Sequence, residues 1–176
     1  MTAESAEAAI RNQYGDHADR VLEIYPVASQ PGVALAAART DAGFTCSSVP
    51  IVAALDRWAP TYAYEFRDQT SPPRSYMTVP PSFPLGAAHT SDVPYVWQSE
   101  TASPPGPTQM ALARIMLEFW SNFAASGDPN GAALPSWPRY DAQDSPRIGL
   151  LAGGQTERMT ADEYARDHHC AFWDAL

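Results

Sequence analysis

The sequence predicts an α/β protein that is mostly helical and forms part of a larger α/β body. Long stretches rich in Ala, Glu, Arg and Leu favour helices, whereas one aromatic segment over about 61–67 alternates as a β-strand does. With 45% apolar and 11% aromatic residues, the chain has enough apolar surface to build a core. A single strand cannot satisfy its own backbone polar groups, so we expect the rest of a sheet around it.

The N-terminal part is predicted to be helical up to the strand. Residues 3–25 favour two short helices that separate at Gly15, because glycine interrupts an otherwise helical pattern. Residues 30–40 favour a further helix, with Gly43 beyond its end. A helical stretch over residues 49–58 then leads to the strand.

After the strand, a heavily apolar segment over residues 107–123 is the strongest helix prediction, and Gly127 fits its C-terminal cap. Residues 147–151 have the composition of a short second strand. A last helix is expected after Thr160, which forms a capping-box pattern with Glu163. These elements are separated by turn-rich segments.

Charge and composition exclude several classes of function. The net charge of −9 and the absence of a basic run argue against binding to nucleic acid or to an anionic membrane. No apolar run approaches the roughly 20 residues of a membrane-spanning helix, and the N-terminus lacks the pattern of a secretory signal. The chain has 17 prolines, and eight of them gather in two segments, 70–84 and 101–109, where we expect long irregular loops.

His89 is the first candidate for a working side chain. It lies within LGAAHTSDVPYVW (residues 85–97), after small residues and about 20 residues beyond the predicted strand. Loops at the C-terminal ends of strands are where α/β enzymes place their functional groups. Taken alone, the pattern leaves two interpretations open, an exposed loop histidine and a catalytic one. Asp92 either orients this loop or caps the following helix.

No metal or cofactor site is predicted. His168, His169 and Cys170 are consecutive, but adjacent residues on a helix point about 100° apart and do not share a face. The spacing also lacks the pattern of a zinc site. His17 lies between acidic residues on a surface that we expect to be solvated. The sequence contains no P-loop, no G-x-G-x-x-G and no G-x-S-x-G nucleophile elbow.

Two cysteines, Cys46 and Cys170, lie far apart in the sequence. Two free buried thiols and a single disulfide are both compatible with this spacing. A disulfide would constrain the unfolded chain and stabilise the fold by roughly 4–5 kcal/mol on the chain-entropy model.

Several specific segments resemble type-B carboxylesterases, the family that includes cholinesterases and bacterial para-nitrobenzyl esterases. The histidine segment at 85–97 is similar to the family's catalytic-histidine segment. Other matching segments occur in the family's order: QYGDHADRVLEIYP, YAYEFR, MLEFWSNFAASGDPNG, LPSWPRYD and HHCAFWDAL. The resemblance covers nearly the whole chain, and it corresponds to the C-terminal third of a family member.

The resemblance implies an α/β-hydrolase fold and a Ser-His-Glu or Ser-His-Asp triad. Residues 1–176 would then be the C-terminal part of a single catalytic domain, with 1–59 a helical region before the last central strand. Residues 60–176 would hold that strand, the histidine loop and the C-terminal helices. His89 matches the triad histidine, which acts as general base and then as general acid. Asp92 matches a position that supports the loop.

The resemblance also favours a disulfide between Cys46 and Cys170, because cholinesterase-like members carry one near their C-terminus. Such a bridge would place the parent protein in the periplasm or outside the cell, whereas free thiols would fit the cytoplasm. The implied partners are a small-molecule ester and, for this chain, the N-terminal part of the fold. The family reaction requires no metal and no cofactor.

The chain departs from the family pattern in one respect. The serine elbow and the oxyanion-hole glycines have no counterpart here, and the acid has no assigned residue. We therefore expect the C-terminal segment of a serine carboxylic-ester hydrolase, inactive alone. The alternatives are a non-catalytic binding or interaction module with this fold, and a non-functional remnant.

Overall fold

The computed structural model describes residues 1–76, 82–97, 101 and 103–176. These residues form two compact units. The first unit comprises Met1–Ile51, 82–84 and Asp162–Leu176, and the second comprises the described residues of 52–80 and 85–161. Within the described ranges, no helix combines the length and the apolar character needed to cross a bilayer.

Helices predominate, and a small sheet lies in the second unit. In chain order the elements are α1 (Ala3–Tyr14), α2 (Ala18–Ile24), α3 (Pro31–Thr40), α4 (Cys46–Asp56), β1 (Ala63–Phe66), α5 (Val93–Trp97), α6 (Pro107–Ser126), β2 (Arg147–Leu151), β3 (Gln155–Met159), α7 (Ala161–Asp167) and α8 (Cys170–Trp173). A helical chain with a small sheet confirms the coarse prediction of a partial α/β protein.

The first unit begins with the predicted pair of short helices. The Thr2 hydroxyl accepts a hydrogen bond from the Ser5 backbone N–H and caps α1. Gly15 ends α1 with a positive φ of 53°, and a single 3-10 turn then leads into α2. The helices of this unit enclose a common core of apolar residues. Its buried members are Ala6, Ile10, Ala18, Val21, Tyr25, Val27, Leu35 and Ala38.

The link between α3 and α4 differs from the prediction. Gly43 does not lie beyond a helix end, because a π-helical turn over Asp41–Thr45 joins the two helices. The cap residues at both ends of this turn keep right-handed helical angles, so the chain continues without a break. As a result, α4 begins at Cys46 rather than near residue 49. Insertion of an extra residue into a helical turn redirects the side chains that follow it.

The sheet of the second unit has three strands in the order β1-β2-β3. Strands β1 and β2 are parallel, with Ala63 opposite Arg147, whereas β2 and β3 are antiparallel. Strand β2 matches its predicted bounds, and β1 is shorter than the predicted 61–67. Strand β3 was not predicted, because only Met159 of its five residues is buried and apolar alternation is absent.

Helix α6 supplies the core of the second unit. Leu112, Met116 and Phe119 are fully buried on one face, together with Ile148 and Leu150 of β2. Its C-terminus follows the prediction, since Gly127 adopts the left-handed conformation and its N–H bonds to the carbonyl of Phe123.

The turn between β2 and β3 lies against α6. Gly154 has a φ of +75°, and a Cβ added there would lie 2.7 Å from the Ile115 side chain. The left-handed φ and the backbone carbonyl of Ala111, whose oxygen would lie 3.3 Å from that Cβ, both favour glycine at this turn.

The predicted proline-rich loops are described only in part. Residues 77–81 of the first loop and 102 of the second lie outside the described residues. The described section from 82 to 92 has no helix or strand and leads into α5. It contains His89.

Candidate functional site

His89 lies on the loop that connects β1 to α5 and its side chain is exposed. The loop closes through consecutive tight turns. The backbone N–H of Ser91 donates to the carbonyl of Ala88 at 2.9 Å, and the N–H of Val93 donates to Thr90 at 3.2 Å. His89 thus lies in a surface turn of the segment that leads from the C-terminal end of β1 to α5.

Asp92 connects the histidine loop to the strand. Its Oδ2 accepts a hydrogen bond of 2.9 Å from the hydroxyl of Tyr64 in β1. Burial raises the pKa of the Tyr64 phenol well above its usual range, and the Asp92 carboxylate raises it further. The phenol therefore remains protonated and acts as a donor over the ordinary pH range.

Two side chains from the segment after β1 bind the loop backbone next to His89. The Ser71 hydroxyl donates to the carbonyl of Ser91, and Nη1 of Arg74 donates to the carbonyl of Thr90, each at 3.3 Å. Side-chain bonds to backbone carbonyls of this kind hold an irregular loop in one conformation.

The backbone on both sides of His89 adopts unusual angles. Thr90 has a φ of +70°, which a β-branched residue rarely adopts. Gly86 has a φ of +58°, and a Cβ there would lie 2.3 Å from Oε1 of Gln69. Sparsely populated backbone angles persist where surrounding contacts fix them, and they are frequent at functional loops.

A buried carboxylate secures the base of the loop. Asp68 follows β1 and is fully buried. Its Oδ1 accepts from the backbone N–H and the hydroxyl of Thr70, at 2.8 and 2.6 Å. Its Oδ2 accepts from the hydroxyl of Tyr95 in α5 at 2.7 Å. The Gln109 amide of α6 completes the network by donating to the Thr70 hydroxyl at 2.6 Å.

The network links the end of β1 to the two helices that flank the loop. Burial raises the pKa of Tyr95, a hydrogen bond with Ser71 opposes that shift, and Asp68 reinforces it. The phenol is therefore a neutral donor to Asp68. A buried carboxylate with several donors is well compensated, and removal of a single donor leaves it partly unsatisfied.

Aromatic rings fill the space between β1 and α6. Tyr64 contacts Trp120 and Trp137 edge-on, at centroid distances of 5.1 and 5.9 Å. The indole N–H of Trp137 donates to the carbonyl of Ala63, so this ring is fixed against the strand. Asn130 in turn holds the Trp137 backbone through two hydrogen bonds of 2.7 and 2.9 Å. These contacts give a structural role to residues 127–130 (GDPN) and 135–137 (PSW).

The two cysteines form a disulfide in the first unit. Cys46 at the start of α4 is bonded to Cys170 at the start of α8, across 124 residues. The bridge confirms the pairing that the family resemblance implied. It ties helix α8 near the C-terminus to the start of α4.

His168 belongs to a structural cluster in the same unit. Its Nδ1 lies 2.8 Å from Oδ1 of Asp41, whose Oδ2 accepts from the Tyr25 hydroxyl at 2.8 Å. The indole N–H of Trp173 donates to the Tyr25 hydroxyl at 3.0 Å. We expected His169 to be part of a helix. In the structure it adopts a left-handed φ of 53° between α7 and α8.

Sequence reasoning found His89 and Asp92 but missed the residues that bind their loop. Tyr64 and Asp68 were not selected, although the D-x-T pattern after a strand is typical of a side-chain-closed turn. His17 is exposed in a 3-10 turn. Among the described residues, no group of three or more His, Cys, Asp or Glu side chains is arranged to hold a metal ion.

In chemical terms, the site presents an accessible imidazole on a tightly bound loop. An imidazole can accept and donate a proton near neutral pH, which suits general acid–base catalysis. The fold and the site define an α/β protein with an exposed histidine on the connection that follows a parallel strand.

Comparison with known proteins identifies the family. The carboxylesterase family model matches residues 2–173. Carboxylesterase 1E of Mus musculus is 33% identical over 122 residues, which cover 69% of this chain and 20% of that protein. Liver carboxylesterase 1 of Oryctolagus cuniculus is 31% identical over 127 residues, with the same coverage. Carboxylesterase 5A of Mus musculus is 35% identical over 99 residues, which cover 51% of the chain and 16% of that protein.

The chain therefore belongs to the carboxylesterase family, as the sequence segments indicated. It spans about a fifth of the length of the first two relatives. The family as a whole implies an α/β-hydrolase fold, of which the small sheet and the surrounding helices are a compatible part.

Proposed function

We propose that this chain is the C-terminal segment of a serine carboxylic-ester hydrolase and that His89 is the histidine of its catalytic triad. The observation that carries the proposal is the position of His89. In a chain matched to the carboxylesterase family over residues 2–173, this histidine is exposed on a braced loop that follows a parallel strand.

The proposed reaction is acyl transfer from a small-molecule ester to a serine and then to water. As the serine oxygen attacks the ester carbonyl, His89 accepts the hydroxyl proton. The C–O bond to the alcohol then breaks, and His89 returns the proton to the leaving oxygen. In the second half, His89 takes a proton from the water that attacks the acyl-serine. The bond between the acyl carbon and the serine oxygen then breaks, His89 returns the proton to that oxygen, and the carboxylic acid is released.

Asp92 is proposed to support the loop rather than to take part in proton transfer. Its carboxylate is engaged by the Tyr64 hydroxyl, which holds it toward the strand. Asp68 serves the same purpose from the side of α5 through Tyr95. A general base has to lie within hydrogen-bond reach of the proton it removes, so a fixed loop favours catalysis.

The serine and the acid are proposed to come from the remainder of the fold, which is also the proposed partner of this chain. The sequence has no G-x-S-x-G segment, and the relatives are about five times longer than the matched region. An imidazole without a serine to activate is only a weak catalyst of ester hydrolysis. The chain alone is therefore expected to be inactive as a serine esterase.

A hydrolysis assay tests this proposal. The purified chain should hydrolyse p-nitrophenyl acetate no faster than free imidazole at the same concentration, and a serine-directed phosphonate should not change that rate. A rate that the phosphonate abolishes would contradict the assignment of the nucleophile to another part of the protein. A second test is the DNA sequence upstream of the Met1 codon. We expect it to encode a G-x-S-x-G segment, in frame or one frameshift away.

A further inference from the structure

The second unit carries a cleft of about 480 Å³ between α5, α6 and the segment after β1. This volume falls within the range typical of small-molecule sites. Most of the wall is apolar, and α6 contributes one continuous stripe of it. The apolar wall and its arginine are formed by Pro72, Pro94, Tyr95, Met110, Ala113, Arg114 and Leu117.

Met110, Arg114 and Leu117 of this stripe lie outside the core cluster, whereas Ala113 packs against its edge. Leu112, Met116 and Phe119 are fully buried beneath the helix. Met110 and Leu117 lie two turns apart on the cleft side, and Met110 is 56% exposed. The helix therefore presents apolar side chains to two sides, and only one of them is covered by the core.

Arg114 is the cation available in this wall. The ion pairs formed within the described residues do not include it, although Glu118 lies one turn further along α6. The other polar wall groups already have partners. The Tyr95 hydroxyl donates to Asp68, and the Gln109 amide donates to Thr70. An exposed guanidinium beside an apolar groove, in a chain of net charge −9, suits an anion with an apolar tail.

We propose that this cleft binds a medium-chain fatty-acid anion. The carboxylate pairs with the Arg114 guanidinium, and the alkyl chain lies against Met110, Ala113 and Leu117. The distance from Met110 to Leu117 along the helix axis is about 10 Å, which matches an alkyl chain of medium length. This inference goes beyond the proposed esterase reaction, because it requires neither His89 nor a serine.

The test is a titration of the ¹⁵N-labelled chain with sodium octanoate below its micellar concentration, followed by amide chemical shifts. Octanoate should shift the amides of α5 and of 110–117. Hexanoate should bind about four- to fifteenfold more weakly, since each buried methylene contributes to affinity. Arg114→Gln should weaken octanoate binding about three- to tenfold through loss of the ion pair. Ala113→Phe should remove binding by filling the cleft.

Arg57→Gln is the matched control, because Arg57 is an exposed arginine of the same unit outside the cleft. This variant should bind octanoate as the wild type does. Unchanged peak dispersion in every variant shows that the fold is retained. Three results would overturn the proposal: shifts spread over the surface outside the cleft, equal binding of 1-octanol and octanoate, or an equal loss of affinity in Arg57→Gln and Arg114→Gln.

Discussion

The Tyr64 hydroxyl donates a 2.9 Å hydrogen bond to Asp92 and thereby joins strand β1 to the loop of His89 across 28 residues. The strand is fixed in turn by its pairing with β2 and by the indole of Trp137. The loop thus inherits its position from the sheet, while the His89 ring stays exposed.

Replacement of Tyr64 by Phe should release this connection. We expect the unfolding free energy to fall by about 1 kcal/mol, the usual net value of one hydrogen bond. Amide hydrogen exchange should speed up at 88–92 more than elsewhere in the unit. Tyr76→Phe is the control, because Tyr76 is 67% exposed and its contact with Arg74 is made by the ring, which phenylalanine retains. Equal exchange in the two variants would contradict the bracing role of Tyr64.

Asp68→Asn should destabilise the second unit more strongly. The buried carboxylate accepts from three donors, and an amide replaces one of its acceptor oxygens with a donor. We expect a loss of about 2–3 kcal/mol in the unfolding free energy, measured by denaturant titration. Asp16→Asn, at an exposed position of the first unit, should change stability by less than about 0.5 kcal/mol. Comparable losses at the two positions would refute the buried network.

Stability should decline in alkaline solution. Burial raises the pKa of Tyr25 above its usual value, with Asp41 adding to the shift and Trp173 opposing it. The folded state thus retains this proton when the unfolded phenol has lost it, near about pH 10. The contribution of Tyr25 to the unfolding free energy is therefore fully present below about pH 10 and is lost as the pH rises further.

A tyrosine variant separates this effect from general alkaline damage. Tyr25→Phe should flatten the decline by up to about 1.4 kcal/mol per pH unit, which is the contribution of one proton. The measurement is the denaturant midpoint between about pH 8 and 11. Tyr76→Phe should leave the profile unchanged. A Tyr25→Phe profile that coincides with the wild type would show that the buried phenol does not control alkaline stability.

The disulfide should contribute strongly to the stability of the first unit. Cys46 and Cys170 are separated by 124 positions in the sequence, for which the chain-entropy model gives about 4–5 kcal/mol. A Cys46→Ser and Cys170→Ser double variant should lose that amount in denaturant unfolding. Dithiothreitol should lower the wild-type midpoint and leave the double variant unaffected. Wild-type unfolding that is insensitive to the reductant would contradict the bridge.

The sequence predicted those helices and strands whose limits and type are encoded in their own residues. The ends of α6 follow from Pro107 and Gly127, and β2 follows from its apolar residues. Strand β3 was not predicted, because it is an edge strand whose polar side chains face solvent. Its position depends on pairing with β2, which its own five residues do not encode.

The site shows the same division. His89 and Asp92 could be predicted, because both lie in a short segment that resembles a family motif. The network around Asp68 was not, because its partners Tyr95 and Gln109 lie 27 and 41 residues away and meet only in the folded unit. The π-helical turn at Asp41–Thr45 was also missed, since Gly43 has the ordinary signature of a helix end.

The central claim is that His89 is the base of a serine esterase, and the most direct test uses the protein encoded by the native gene. Phosphonate-sensitive hydrolysis of p-nitrophenyl acetate should be compared among the wild type, His89→Gln and His17→Gln. We expect kcat to fall by about 10⁴-fold or more in His89→Gln and to remain unchanged in His17→Gln, an exposed histidine of the first unit. Full phosphonate-sensitive activity in a folded His89→Gln protein would contradict the account.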